Sequence, residues 1–350
     1  MIQYPFLNNQ SVLITGGTGS FGRKMIRTLL TTTKVRRVVV YSRDELKQSD
    51  MTLDPEFQDE RLRFFIGDVR DRDRLERALN GIDLVVHTAA LKQVPACEYN
   101  PFEAVKTNVL GAQNVIECSI NRGVKRVVAL STDKAASPVN LYGATKLCSD
   151  KLFVAGNVYS GGNVTRFSVV RYGNVVGSRG SVVPFFLKKR KDGVLPVTDE
   201  RMTRFWITLD QGVDFVLESF ELMRGGEIFV PKIPSMRVTD LARCIAPGCR
   251  LNFVGIRNGE KLHEVMVVEE DARQTIQLPD RFVIIPSHHF KVFEDTMEWQ
   301  IAGPCCPEGF RYGSDTNDRW LSGKDLTSMI AGLDLPEARE FARERSAMAV

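Results

Sequence analysis

"SVLITGGTGSFG", residues 11–22, decides the fold. A β-branched and aliphatic run, Ser11 to Thr15, gives way to Gly16, Gly19 and Gly22 at GxxGxxG spacing. The amphipathic stretch FGRKMIRTLL (21–30) follows directly. A strand that passes through a glycine turn into a helix brings the backbone close to a pyrophosphate, and the helix N-terminus supplies N–H donors and partial positive charge. Thr18, Ser20 and Phe21 fill the turn and share in the expected cofactor contacts.

The same alternation continues outward. RRVVVYS (36–42), LRFFIGD (62–68), DLVVHTA (83–89), KRVVALS (125–131) and FSVVRYG (167–173) read as strands, with helical stretches such as DRDRLERALN (71–80) between them. Continuous apolar strands separated by helices predict an α/β, Rossmann-like fold: a doubly wound parallel sheet covered on both faces. The alternation stops after Gly173. The expected organisation is a dinucleotide-binding domain over 1–175 and a smaller C-terminal substrate-binding lobe over 176–350, partly interleaved with it.

Composition narrows the function. A chain of 350 residues buries a sizeable core. The net charge of +4 is mild and scattered, which argues against a nucleic-acid partner and leaves cations for a phosphorylated small molecule. Seven cysteines (97, 118, 148, 244, 249, 305 and 306) are odd in number and lack framework spacing, so reduced thiols are expected rather than a disulfide scaffold or a metal site. The N-terminus MIQYPFLNNQ has no signal-peptide pattern, and no run reaches the roughly 18 apolar residues of a membrane span. These features predict a soluble, cytoplasmic enzyme. The tail EAREFARERSAMAV reads as a charged terminal helix.

The second strand ends YSRDELK, where an NAD binder would place an acid for the ribose 2′-OH. Ser42 and Arg43 occupy that spot, with Lys47 at i+4 from Arg43 on the same helical face, so the pair is expected to clamp the 2′-phosphate of NADP. The alternative makes them surface charges and gives the ribose to Asp44. Glu45 belongs to the same stretch, and Asp68 with Val69, at the third strand end, is expected at the adenine.

STDKAASPVNLYGATK (131–146) crowds proton-transfer groups at the carboxyl edge of the sheet, where open α/β sheets bind ligands. Tyr142 and Lys146 stand one above the other on a helix. The ammonium is expected to lower the phenol's pKa, so that Tyr142 takes a hydroxyl proton while the cofactor takes a hydride. On spacing alone, Asp133 and Lys134 could equally be a solvated ion pair.

By these motifs, together with HTAALKQVPACEYNP, RYGNVVGSRGSVVPFF, MTRFWIT and GEKLHEVM, the chain resembles an extended short-chain dehydrogenase/reductase, and within that group the inverting UDP-N-acetylglucosamine 4,6-dehydratases of pseudaminic acid biosynthesis. The likeness covers about residues 8–270 and fades after about 275. It implies that Tyr142, supported by Lys146, takes the C4 hydroxyl proton, that Lys134 removes the C5 proton, that Asp133 protonates the departing C6 hydroxyl, and that Thr132 polarises the 4-oxygen. Lys134 is then expected to be partly neutral, its pKa pulled down by burial, Lys146 and the positive nicotinamide.

By the same resemblance Ala89 and Lys92 lie beside the cofactor, Thr107 and Asn108 line the nicotinamide side, and Asn174 faces the sugar. Thr198 meets the uracil nucleotide, Arg204 and Arg257 suit the diphosphate, and Glu260 belongs to the matched motif around Arg257. Retaining dehydratases of this fold show Thr-Asp-Glu where this chain has Thr132-Asp133-Lys134. Asn258 and Thr88 depart from the usual proline and alanine. His87 reads as a strand-core residue and His263 as structural, and His288–His289 carry no metal signature. The implied partners are UDP-N-acetylglucosamine and further copies of the chain, in a homo-oligomer. The rival readings are a UDP-sugar 4-epimerase and a non-catalytic NADP-binding regulator.

Overall fold

A computed structural model describes residues 4–161, 165–178, 180–286 and 298–348; His288 and His289 lie outside this range. The first half alternates as β1 (Ser11–Thr15), α1 (Ser20–Thr32), β2 (Arg37–Ser42), α2 (Glu45–Leu53), β3 (Leu62–Ile66), α3 (Arg72–Ala78) and β4 (Leu84–His87). Two short helices, α4 (Val94–Tyr99) and α5 (Pro101–Val105), lead through a π-helical turn, Lys106–Leu110, into α6 (Gly111–Asn121). Then come β5 (Arg126–Thr132), α7 (Leu141–Tyr159) and β6 (Arg166–Tyr172).

These six strands pair in parallel, in the order β6-β5-β4-β1-β2-β3. β1 is buried at every residue because helices cover both faces. The later chain returns to this sheet. Ile228–Pro231 pairs in parallel with β6, and Arg281–Ile284 and Thr275–Gln277 close the far edge antiparallel, giving nine strands.

The rest of the later chain forms small sheets, among them Thr203–Ile207 flanked by Asn174–Val175 and Ser235–Arg237. Its helices, including Pro336–Met348 at the tail, pack around a second apolar cluster that contains Trp206, Leu241 and Phe341. Each of the seven cysteines is free. Among the described residues no helix is long and apolar enough to cross a membrane.

Candidate active site

Because the strands are parallel, their carboxyl ends open on one side, and a cavity of about 540 Å³ runs along that edge from Lys47 to Asn174. One half is built for a dinucleotide. Gly16 sits at φ +67°, a left-handed conformation that glycine adopts freely. A Cβ on Gly22 would stand 2.5 Å from the backbone of Gly17, so only glycine lets α1 start this close to the turn. The neighbouring helices α2, α3 and α7 carry side-chain N-caps, from Asp44, Asp71 and Asn140. Helix α1 has Gly19 as its N-cap and so no side-chain cap, which leaves its first N–H groups, beside the cavity, for an anion.

Thr18 and Ser42 are buried and bonded to each other, Oγ1 to Oγ at 2.9 Å, which pins the glycine turn to the end of β2. Ser20, Phe21, Arg43, Lys47, Asp68, Val69, Ala89, Lys92 and Thr107 also line the cavity. Thr88 joins them, and its hydroxyl is satisfied by the Thr15 carbonyl at 2.6 Å.

Three cofactor expectations change in detail. Arg43 precedes the N-cap of α2, so it does not share a helical face with Lys47; the two reach the cavity from the loop and from the first turn. Asp44 is occupied as that N-cap, accepting from the Lys47 backbone at 3.0 Å and pairing with its ammonium at 2.5 Å, and exposed Glu45 follows it on the helix, outside the cavity lining. Asn108, 1% exposed, faces inward from the π-helical turn: it bonds Leu91 N and O at 2.8 and 2.9 Å and Thr145 Oγ1 at 3.0 Å. It braces the loop after β4 against α7 and does not line the cavity.

The other half gathers the residues expected to transfer protons. Thr132, Asp133, Lys134, Tyr142, Lys146 and Asn174 all face it. Asp133 is buried, its Oδ1 accepting from Thr132 Oγ1 at 3.0 Å and from Lys134 Nζ at 3.0 Å, while Oδ2 is buried with no hydrogen bond among the described residues. Burial, and the nearby carboxylate of Glu264, push the Asp133 pKa upward against the pull of Lys134. Asn174 Oδ1 is likewise a buried acceptor without a partner.

Two electrostatic expectations are corrected. Burial by itself lowers the Lys134 pKa, but Asp133 and Glu264 outweigh it and hold the ammonium charged, well above a free lysine. Tyr142, half-buried, is pushed up to about 12 by burial; the groups that draw it down are Lys134 and the nearby Thr132 hydroxyl, with Lys146 not among its leading influences. Lys146 is buried and its pKa lowered by that burial, against an opposing pull from Asp150.

The expected diphosphate and nucleotide contacts fall differently. Arg204 is 8% exposed and donates to the carbonyls of Thr203, Leu262 and Lys261 at 2.7–3.1 Å, so it is turned inward and does not line the cavity. Arg257 is exposed on a turn closed by Glu260, whose backbone N–H reaches the Arg257 carbonyl at 3.0 Å and whose carboxylate accepts the Arg257 N–H at 3.3 Å. That turn is bonded to the active-site helix, Asn140 Nδ2 donating to Gly259 O at 2.7 Å. Thr198 follows Val194–Val197 and lies outside the cavity lining. His87 is a buried core residue on Thr15, and His263 bonds Thr203 Oγ1 at 2.8 Å.

Sequence reasoning missed the buried second layer: Glu264 against Lys134, and Asp150, which takes Ser131 Oγ at 2.7 Å and Arg171 Nη2 at 3.2 Å. The available signals were the helical spacing Lys146–Asp150 and the place of Glu264 within the motif GEKLHEVM.

A family model described as "Polysaccharide biosynthesis protein" matches residues 12–286. The chain is 53% identical over 330 residues to a Campylobacter jejuni protein named UDP-N-acetylglucosamine 4,6-dehydratase (inverting), covering 92% of this chain and 98% of that one, so the likeness runs well past residue 275. Among solved structures, Pen from Bacillus thuringiensis superposes with a TM-score of 0.83 at 37% identity, covering 93% of this chain and 98% of that one. DesIV, a dTDP-glucose 4,6-dehydratase from Streptomyces venezuelae with NAD and TYD bound, gives 0.64 at 27% identity, covering 72% and 87%.

Proposed function

The chain belongs to the polysaccharide biosynthesis protein family, and on that premise we propose that it is a C5-inverting UDP-N-acetylglucosamine 4,6-dehydratase. The observation that carries this is the Asp133–Lys134 pair, acid against base at 3.0 Å, in one cavity with Tyr142 and Lys146. A 4-epimerase needs neither member of that pair.

Each group has one task. Tyr142 takes the proton of the C4 hydroxyl, and Thr132, which lines the same cavity, polarises the same oxygen. A nicotinamide held by the glycine turn and Lys146 would supply the hydride chemistry, as acceptor from C4 and donor to C6. Lys134 removes the C5 proton, which a 4-ketone acidifies. Asp133, whose pKa burial raises, gives a proton shared with Lys134 to the departing C6 hydroxyl. Reprotonation of C5 from the opposite face inverts that centre, and the buried acceptor of Asn174 is free for a sugar hydroxyl.

The uncapped start of α1 fits a dinucleotide pyrophosphate, with Gly16, Gly19 and Gly22 around it. We take the cofactor to be NADP, supported by two cations, Arg43 and Lys47, at the Ser42 end of the cavity. Exposed Tyr99, Phe102 and Tyr159 on α4, α5 and α7 support a homo-oligomer built through the helices that flank the sheet.

Mass spectrometry of UDP-N-acetylglucosamine incubated with the protein tests the reading. Loss of one water with deuterium at C5 in heavy water and L-configuration there is expected. Unchanged mass with a new chromatographic peak would make it an epimerase, and no change at all would favour the regulator.

A further inference from the structure

Glu264 is a buried acid, 1% exposed, that stands behind Lys134 at the sugar end of the cavity, and the mechanism above assigns it nothing. Its main chain is fixed on both sides: its N–H reaches Ser314 Oγ at 2.9 Å and its carbonyl takes the Ser314 N–H at 2.8 Å. Two residues on, Arg171 grips the Met266 carbonyl at 3.0 Å. The backbone that carries the carboxylate is therefore fixed in place. Its Oε1 lies 3.2 Å from Lys134 Nζ and 3.7 Å from Arg204 Nε, and its Oε2 lies 3.8 Å from Lys261 Nζ with no hydrogen bond among the described residues. A carboxylate held this dry with one oxygen unbonded is costly. A core with no charge to position would not need it.

We propose that Glu264 is a positioning residue for the elimination, holding Lys134 against Asp133 so that the pair shares one proton. The inference rests on the dehydratase reading above. In the resting pair the proton is on Lys134. Moving it along Nζ–H···Oδ1 breaks one N–H bond and forms one O–H bond, and it creates the amine base and the carboxylic acid together, with no outside reactant. Elimination then returns the pair to ammonium and carboxylate.

The working form is thus the singly protonated pair. At low pH it gains a second proton, and at high pH it loses its only one. The negative charge of Glu264 raises the proton affinity of both Asp133 and Lys134, so it places both limits higher. The other ionisable groups facing the cluster are Tyr142 from α7, Arg204 from Thr203–Ile207 and Lys261 from the turn before Glu264; Arg204 opposes Glu264 at Lys134.

The test is the pH–rate profile of water loss for the full chain with NADP and UDP-N-acetylglucosamine. Glu264→Gln should bind NADP normally, dehydrate at least tenfold more slowly at the alkaline side, and show both limbs moved to lower pH by about one unit or more. Glu264→Asp should restore the limbs. A slow Glu264→Gln variant with unmoved limbs would reduce Glu264 to a structural role, and a wild-type profile would remove it altogether; both outcomes overturn the proposal. Should Glu264→Gln fail to fold, Lys261→Met replaces it: losing a cation beside the same carboxylate should move both limbs to higher pH, and unmoved limbs overturn the proposal. Wild-type protein that releases no water sinks the dehydratase reading itself, a different failure from an active wild type with an indifferent Glu264.

Discussion

Gly143 lies against the carbonyl oxygen of Lys134 so closely that a Cβ built on it would overlap that oxygen. The residue follows Tyr142 directly, and its N–H is capped by Asn140 Oδ1 at 2.8 Å. This contact seats the helix that carries Tyr142 and Lys146 on the loop that carries Asp133 and Lys134. Gly143→Ala is therefore expected to push the two apart. Overpacking of this kind costs about 1–3 kcal/mol of stability, and misplaced catalytic groups should slow dehydration by roughly tenfold to a hundredfold. Thermal melting and initial rates measure both; a variant with the wild-type rate would refute the seating role.

Lys134→Ala should still bind NADP and still oxidise C4, which is visible as nicotinamide absorbance, yet lose elimination by a factor of roughly a hundred or more. Asp133→Asn should stall at the same point, because an amide cannot deliver a proton to the C6 hydroxyl. If Lys134→Ala dehydrates normally, the base lies elsewhere.

Arg43 reaches the cavity from the loop after β2, 3.7 Å from Asp68. Its removal should weaken NADP binding far more than NAD binding, since only NADP carries the 2′-phosphate for a charge-assisted bond. Fluorescence titration with the two nucleotides decides this, and equal losses would retire the role.

Tyr142 should be hard to ionise before ligands bind, its pKa pushed to about 12 by burial. In ultraviolet difference titrations against Tyr142→Phe, its phenolate signal should emerge only at strongly alkaline pH in the ligand-free protein and move to lower pH with NADP⁺ present, because a cation favours the phenolate. A signal near pH 10 without ligand would contradict the burial argument.

Arg171 and Asp150, both nearly inaccessible, pair at 3.2 Å behind β5. Arg171→Leu leaves Asp150 charged and unpaired in the core and should cost about 3–5 kcal/mol in denaturant unfolding. A loss under about 1 kcal/mol would mean that water or a rearranged neighbour compensates Asp150.

What the sequence alone determined was whatever depends on neighbours along the chain. Apolar runs and helical periods placed the six parallel strands, because burial on both faces demands them. Glycine spacing placed the phosphate turn, and the Tyr142–Lys146 and Asp133–Lys134 pairs were legible because their members lie within one helical turn or side by side. Tertiary structure decided charge states and directions. Lys134 looked poised to be neutral until Glu264, brought in from far along the chain, turned burial into an ion pair. Arg204 looked like a phosphate ligand, yet the carbonyls of Thr203, Lys261 and Leu262 take its donors. Asn108 looked like a cofactor contact, but the π-helical turn points it into the protein. A pKa and a side-chain direction are sums over everything within a few ångströms, and most of those neighbours are distant in sequence.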